Sequence, residues 1–232
     1  MLFKPLLGTD LSGKVGGLVA SHNAGGAYFR AATIPTNPNT IQQQAVRTIM
    51  SALTVAWNST LTAAQRLSWE VYADNVPLTN RIGEQVNVSG LSMFIRSNVA
   101  RQQIGVDAIL DGPTVFNLGQ LAKAQPTAAT EAGQTVSIEF GATIPVDPWI
   151  SEAGSWLAVY VSRPQNESIN FFKGPYRVAG SLQGDPAPPA SPLVVTVPFA
   201  ITAGQRIFTR SVVTYLDGRF TSSILKTALV GA

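Results

Sequence analysis

Residues 40–73 read TIQQQAVRTIMSALTVAWNSTLTAAQRLSWEVYA. Ile41, Ala45, Ile49, Leu53 and Trp57 recur at four-residue steps, with Val46 and Met50 beside them. That spacing predicts one buried face of a helix. Thr40 suits the N-cap, because its hydroxyl can accept from a free first-turn N–H. The prolines of Pro35-Thr36-Asn37-Pro38 bar helix further back, since each disfavours α geometry in the residue before it. Asn58-Ser59-Thr60 breaks the pattern. Thr62 with Gln65 three residues on has capping-box spacing and opens a second helix. Leu67, Val71 and Ala64 form its expected apolar stripe, broadened by Trp69 and Tyr72. The stretch is therefore expected to be an αα-hairpin anchored by Trp57 and Trp69.

Outward from the hairpin, the N-terminal side is glycine-rich. Residues 1–13 read as an extended arm. Lys14–Pro35 holds the strand formers Val15, Leu18, Val19, Tyr28, Phe29 and Ile34 around Asn23-Ala24-Gly25-Gly26. A two-stranded ribbon, 14–22 against 27–34, is expected. Such a ribbon is marginal alone in water. It should lie on the helices or on another chain. On the C-terminal side a third helix is expected from Gly90 to Gln103, with Leu91, Phe94, Ile95 and Val99 as its stripe and Gly105 ending it.

Residues 106–133 read as a linker. From Gln134 the period changes to two. Val136, Ile138 and Phe140 alternate with polar residues, and Trp156–Val161 reads as a central strand. Asp217-Gly218 signals a two-residue hairpin turn. That turn would place Tyr215 opposite Phe220, an aromatic cross-strand pair. Short strands with frequent turns argue an immunoglobulin- or fibronectin-like antiparallel β-sandwich. The expected fold class is α+β: an N-terminal β-ribbon, a helical hairpin and a third helix, then the sandwich. The expected divisions are an arm over 1–13, a ribbon and helical domain over 14–105, a linker over 106–133 and a sandwich domain over 134–232.

The chemistry-bearing residues are sparse. There is no cysteine, which removes disulfides and thiolate metal sites. The single histidine, His22, sits beside a turn and lacks the companions a zinc site needs. No phosphate loop, nucleophile elbow or HExxH pattern occurs. Ser223-Ile224-Leu225-Lys226 matches SxxK in a predicted strand, where residues three apart face opposite sides. Asp147, Glu152, Glu167 and Asp185 fall in expected loops and read as solvated. No cofactor and no enzymatic activity are expected.

The chain is 12% charged, against about 25% for ordinary soluble domains. Two readings of this stay open: a surface hidden against partners, or a neutral, Ser/Thr/Asn-rich β protein. The net charge of +3 is too small for the clustered basic footprint of nucleic-acid binding. No apolar run is long enough for a transmembrane helix. Arg30, Arg47, Arg66, Arg81, Arg96 and Arg101 recur through the first half and suit backbone carbonyls or carboxylates at subunit contacts. Trp149, after Asp147-Pro148, is the better candidate for an exposed, sugar-stacking aromatic, but it reads first as a packing residue.

Ser12-Gly13-Lys14-Val15-Gly16, Gly25-Gly26-Ala27-Tyr28-Phe29-Arg30, Pro35–Thr40 and Gln43-Gln44-Ala45-Val46-Arg47 together resemble the opening of tailed-phage and prophage virion structural proteins. Gly90-Leu91-Ser92-Met93-Phe94-Ile95-Arg96 fits the same pattern. The resemblance covers about residues 12–105. It implies a virion structural protein, with a capsid decoration (cement) protein as the first expectation. Its partners would be the major capsid protein or other virion proteins and further copies of itself, as a trimer by analogy with decoration proteins. Its place would be the capsid surface. The expected contact residues are Val15, His22, Tyr28, Phe29 and Arg30. The alternatives are a connector or tail protein, and a sugar-binding host-recognition module.

Overall fold

The computed structural model describes residues 12–23, 26–34, 36–79, 83–141 and 147–232. Most of the expected arm, part of the first turn and Arg81 lie outside them. The protein is α+β, with three α-helices and antiparallel sheets among the described residues. It forms two compact units, Met1–Ile41 and Gln42–Ala232.

Among the described residues the first unit holds a three-stranded sheet: β1 (Gly13–Val15), β2 (Leu18–Asn23) and β3 (Gly26–Ala31), in the order β1-β2-β3. Sequence led us to expect one strand over 14–22. Gly16-Gly17 turns the chain there instead, with Gly16 at φ +57°, and so creates β1. A side chain strongly disfavours that backbone region.

α1 (Ile41–Val55), in the second unit from Gln42 onward, continues into a π-helical turn, Ala56–Thr60. The polar side chains that end the helix bond back into it: Asn58 donates to Thr54 O and Ser59 to Val55 O. α2 (Ala63–Asn75) opens with the expected capping box. The Gln65 N–H donates to the Thr62 hydroxyl at 3.2 Å, and Thr62 N–H donates to Gln65 Oε1 at 3.0 Å. A short pair, β4 (Leu78–Thr79) and β5 (Gln85–Val86), precedes α3 (Gly90–Gln103).

The helices do not pack as the hairpin expects. α2 lies along α3. Trp69, Tyr72 and Ala73 are its buried residues, and Leu67 and Val71 stand 58% and 40% exposed. Aromatic bulk decides this, because Trp69 and Tyr72 remove far more apolar area from water than the stripe they displace. From α1 only Leu53 is fully buried, followed by Trp57 in the π turn.

Residues 106–133, read as a linker, include β6 (Ala124–Thr130). Upstream of it the chain is held to the helices. Trp69 Nε1 donates to Leu110 O at 2.8 Å and the Tyr72 hydroxyl to Asn117 O at 2.6 Å. Gly112 passes so close to Ser68 that a Cβ there would lie 2.6 Å from a backbone atom.

Two sheets complete the unit. One has the order β10-β7-β6, with β7 (Thr135–Phe140) and β10 (Leu193–Thr196). The other has the order β12-β11-β8-β9, with β8 (Trp156–Ser162), β9 (Tyr176–Gln183), β11 (Arg206–Thr214) and β12 (Ile224–Leu229). They share a core that includes Val136, Ile138, Leu157, Val159, Val161, Ile207 and Val213. The other face of the four-stranded sheet carries Ala158, Tyr160 and Val212, and α3 covers it with Ala100 and Ile104. β8 is thus covered on both faces, as its unbroken apolar run predicts.

The last hairpin departs from its expected register. Tyr215 N–H donates to Arg219 O, and Thr214 bridges to Phe220. The loop is Leu216-Asp217-Gly218, three residues with Gly218 at φ +93°, the bulged alternative to a two-residue turn. The extra residue sends Tyr215 and Phe220 to opposite faces. Tyr215 enters the core between the sheets, and Phe220 joins the cluster under α3. The expected aromatic pair therefore does not form.

Candidate contact surfaces

Strand register sorts the ribbon side chains. Opposed residues share a face, so Lys14, Val19 and Arg30 lie together, with Ser21 and Tyr28 next to them. The other face holds Val15, Leu18 and Ala31, then Ala20 and Phe29. That second face is apolar: Val15 is 82% exposed and Leu18 52%, and Ala20 between them and Phe29 is buried. Of the five expected contact residues, Val15 and Phe29 share the apolar face, and Tyr28 and Arg30 share the mixed one. His22 is placed by its backbone, which pairs with Ala27. Leu18 and Ala31, absent from the expected set, complete the apolar face. Their signal was available in the sequence, because an alternating ribbon that includes Val15 and Phe29 must also include them once the Gly16-Gly17 turn is recognised.

The arginines of α3 work inside the chain. Arg96 Nη1 donates to Phe220 O at 3.0 Å, and its guanidinium lies 4.7 Å from the Phe220 ring centre. Arg101 is 5% exposed and donates to Asp107 O and Gly154 O. Burial lowers the pKa of both. Backbone carbonyls are their partners, as expected. The carbonyls belong to the same chain, not to a second subunit. Between these two arginines, Asn98 accepts from Ile109 N–H at 2.7 Å and donates to Phe94 O and Ile109 O.

The structure decides two readings: Trp149 packs, as its first reading had it, and Asp147 is not a solvated loop residue. Trp149 is fully buried in the core between the sheets, beside Phe140, so it offers no ring to a sugar. Asp147 is fully buried as well and accepts from Ala122 N–H at 2.7 Å. Burial raises its carboxyl pKa above the ordinary range. Both follow from the short 3-10 turn Pro148–Ser151, which folds this segment inward.

The described clefts carry little chemistry. One is lined by Gly119, Gln120, Leu121 and Ala122 against Thr221–Ile224 and has no ionisable side chain. Ser223 of the SxxK match lines it, and Lys226 does not. Among the described residues no three His, Asp or Glu side chains are grouped to hold a metal ion. No helix among them is long and apolar enough to cross a membrane. The more prominent exposed features are apolar: the ribbon face, and the outward sides of α1 and α2, where Ile41 is 82% and Val55 60% exposed.

No family model matches the chain, and no curated protein or solved structure does.

Proposed function

We propose that this chain is a non-enzymatic structural protein of a tailed-phage virion, a capsid decoration protein that binds the major capsid shell and neighbouring copies. Its paired sheets act as an immunoglobulin- or fibronectin-like sandwich, displayed on or bridging the shell. The observation that carries the reading is the apolar ribbon face of Val15, Leu18, Phe29 and Ala31. A three-stranded sheet with such a face gains stability from a second layer. The shell would supply that layer, with main-chain hydrogen bonds along the ribbon edge. The sequence resemblance over residues 12–105 supports the same reading.

The test is quantitative mass spectrometry of gradient-purified particles. A copy number of the same order as the major capsid protein is expected. A ratio far below one would move the protein to the connector or tail, and absence from particles would overturn the virion role. Deletion of residues 1–34 should abolish particle binding. Retained binding would overturn the ribbon mechanism.

A further inference from the structure

α3 covers the outer face of the four-stranded sheet over Ala158, Tyr160 and Val212. Further along β11 the same face carries a different set. Side chains alternate along a strand, so Arg206, Phe208 and Arg210 share the face of Val212. Their register partners on β12 are Leu229, Thr227 and Leu225. Leu225 is 53% and Leu229 49% exposed. The face therefore presents two arginines, each directly opposite an exposed leucine.

Among the described residues no carboxylate lies within ion-pair distance of either arginine. Arg206 Nη1 donates to Asn170 Oδ1 at 3.1 Å, and its Nε is buried without an acceptor. Glu167 lines the same cleft as Arg206 and forms no ion pair with it. The Arg210 guanidinium lies 5.6 Å from the Tyr160 ring centre, and its Nε too is buried without an acceptor. Arg96 adds a third positive charge, close enough for Arg210 to lower its pKa. Guanidinium groups with unused donors are matched by carboxylates or phosphates. A nucleic-acid strand would also want open rings on which to stack its bases. Here Phe208 and Tyr160 are buried, and Phe208 is already stacked on Phe172. That leaves carboxylates as the better match. Arg206 and Arg210 are four residues apart on one strand, roughly 13 Å. Acidic residues four apart in an extended chain have the same spacing.

We propose that this face takes an extended acidic segment of a partner protein, with carboxylates on Arg206 and Arg210 and apolar side chains against Leu225 and Leu229. The surface is other than the ribbon, and the inference does not rest on the particle role.

The probe is a fluorescein-labelled peptide, Glu-Thr-Leu-Thr-Glu-Thr-Leu-Thr-Glu, titrated with the full chain and read by fluorescence anisotropy. Extended, it sets glutamates four residues apart on one face with leucines between them. Saturable binding that weakens with added salt is expected. Replacing its glutamates by glutamines should weaken binding at least about tenfold. Arg206→Gln with Arg210→Gln should do the same. Leu225→Glu with Leu229→Glu alters only exposed positions, sets carboxylates of the chain itself opposite the arginines, and should block the peptide. A labelled oligothymidylate of equal length should bind at least about tenfold more weakly than the peptide. No saturable binding, a glutamine peptide that binds as well, variants that bind like the wild type, or an oligonucleotide that binds equally would each overturn the proposal.

Discussion

β2 and β8 are both apolar-rich strands, LVASHN and WLAVYVS. Their surroundings differ. Six of the seven residues of β8 are buried. It lies between β11 and β9, with the second sheet on one face and α3 on the other. β2 is also a central strand, yet Leu18 remains 52% exposed. Apolar content sets what a strand can gain from cover. The number of layers its own unit supplies sets what it does gain.

Matched substitutions sharpen this contrast. Leu157→Ala in β8 removes a fully buried side chain and should cost about 2–5 kcal/mol in denaturant unfolding. A cost below about 1 kcal/mol would mean that the β8 environment is not closed on both faces. Alkaline titration comes next. Burial pushes the hydroxyls of Tyr72 and Tyr160 up to about 12. Their folded pKa values lie above the unfolded value near 10, so the folded state holds its protons longer. The stabilisation is complete below pH 10 and is lost as pH rises towards 12. The expected slope is about 1.4 kcal/mol per pH unit for each tyrosine. Tyr72→Phe should remove its share of the slope, and an unchanged slope would argue against that burial.

Asn98→Leu should cost about 1–3 kcal/mol, because it leaves the Ile109 N–H without its acceptor. The smallest effect belongs to the ribbon. Leu18→Ala should change the unfolding of the free chain by no more than about 0.5 kcal/mol. A loss comparable to that of Leu157→Ala would show that another part of the chain covers the ribbon face.

Local signals were legible in the sequence, and the tertiary choice among them was not. The capping box at Thr62, the end of α3 near Gly105, the alternation of Val136, Ile138 and Phe140, and the central position of Trp156–Val161 depend on near neighbours along the chain. The choice of the Trp69 and Tyr72 side of α2 over the Leu67 and Val71 side depends on α3 and on carbonyls 41 and 45 residues away. Asp217-Gly218 marked a turn correctly, but two-residue and bulged loops share that signal. One residue of difference then separated Tyr215 from Phe220. Asp147 looked solvated because a Pro-containing segment resembles a surface loop, and nothing local reveals that the segment folds inward, with Trp149 packed beside Phe140. For the proposed contact surface, sequence supplied Val15 and Phe29, and strand register added Leu18 and Ala31.

α3 contributes Met93 and Phe94 to the helical cluster and Ala100 to the outer face of the four-stranded sheet. In calorimetric terms a shared helix of this kind removes the option of melting in parts. Residues 42–232 should give a single heat-absorption peak, with calorimetric and van't Hoff enthalpies in agreement. The slowest-exchanging amides of α3 and β8 should report one common opening free energy. Two resolved peaks would mean that this helix fails to couple the two clusters it joins.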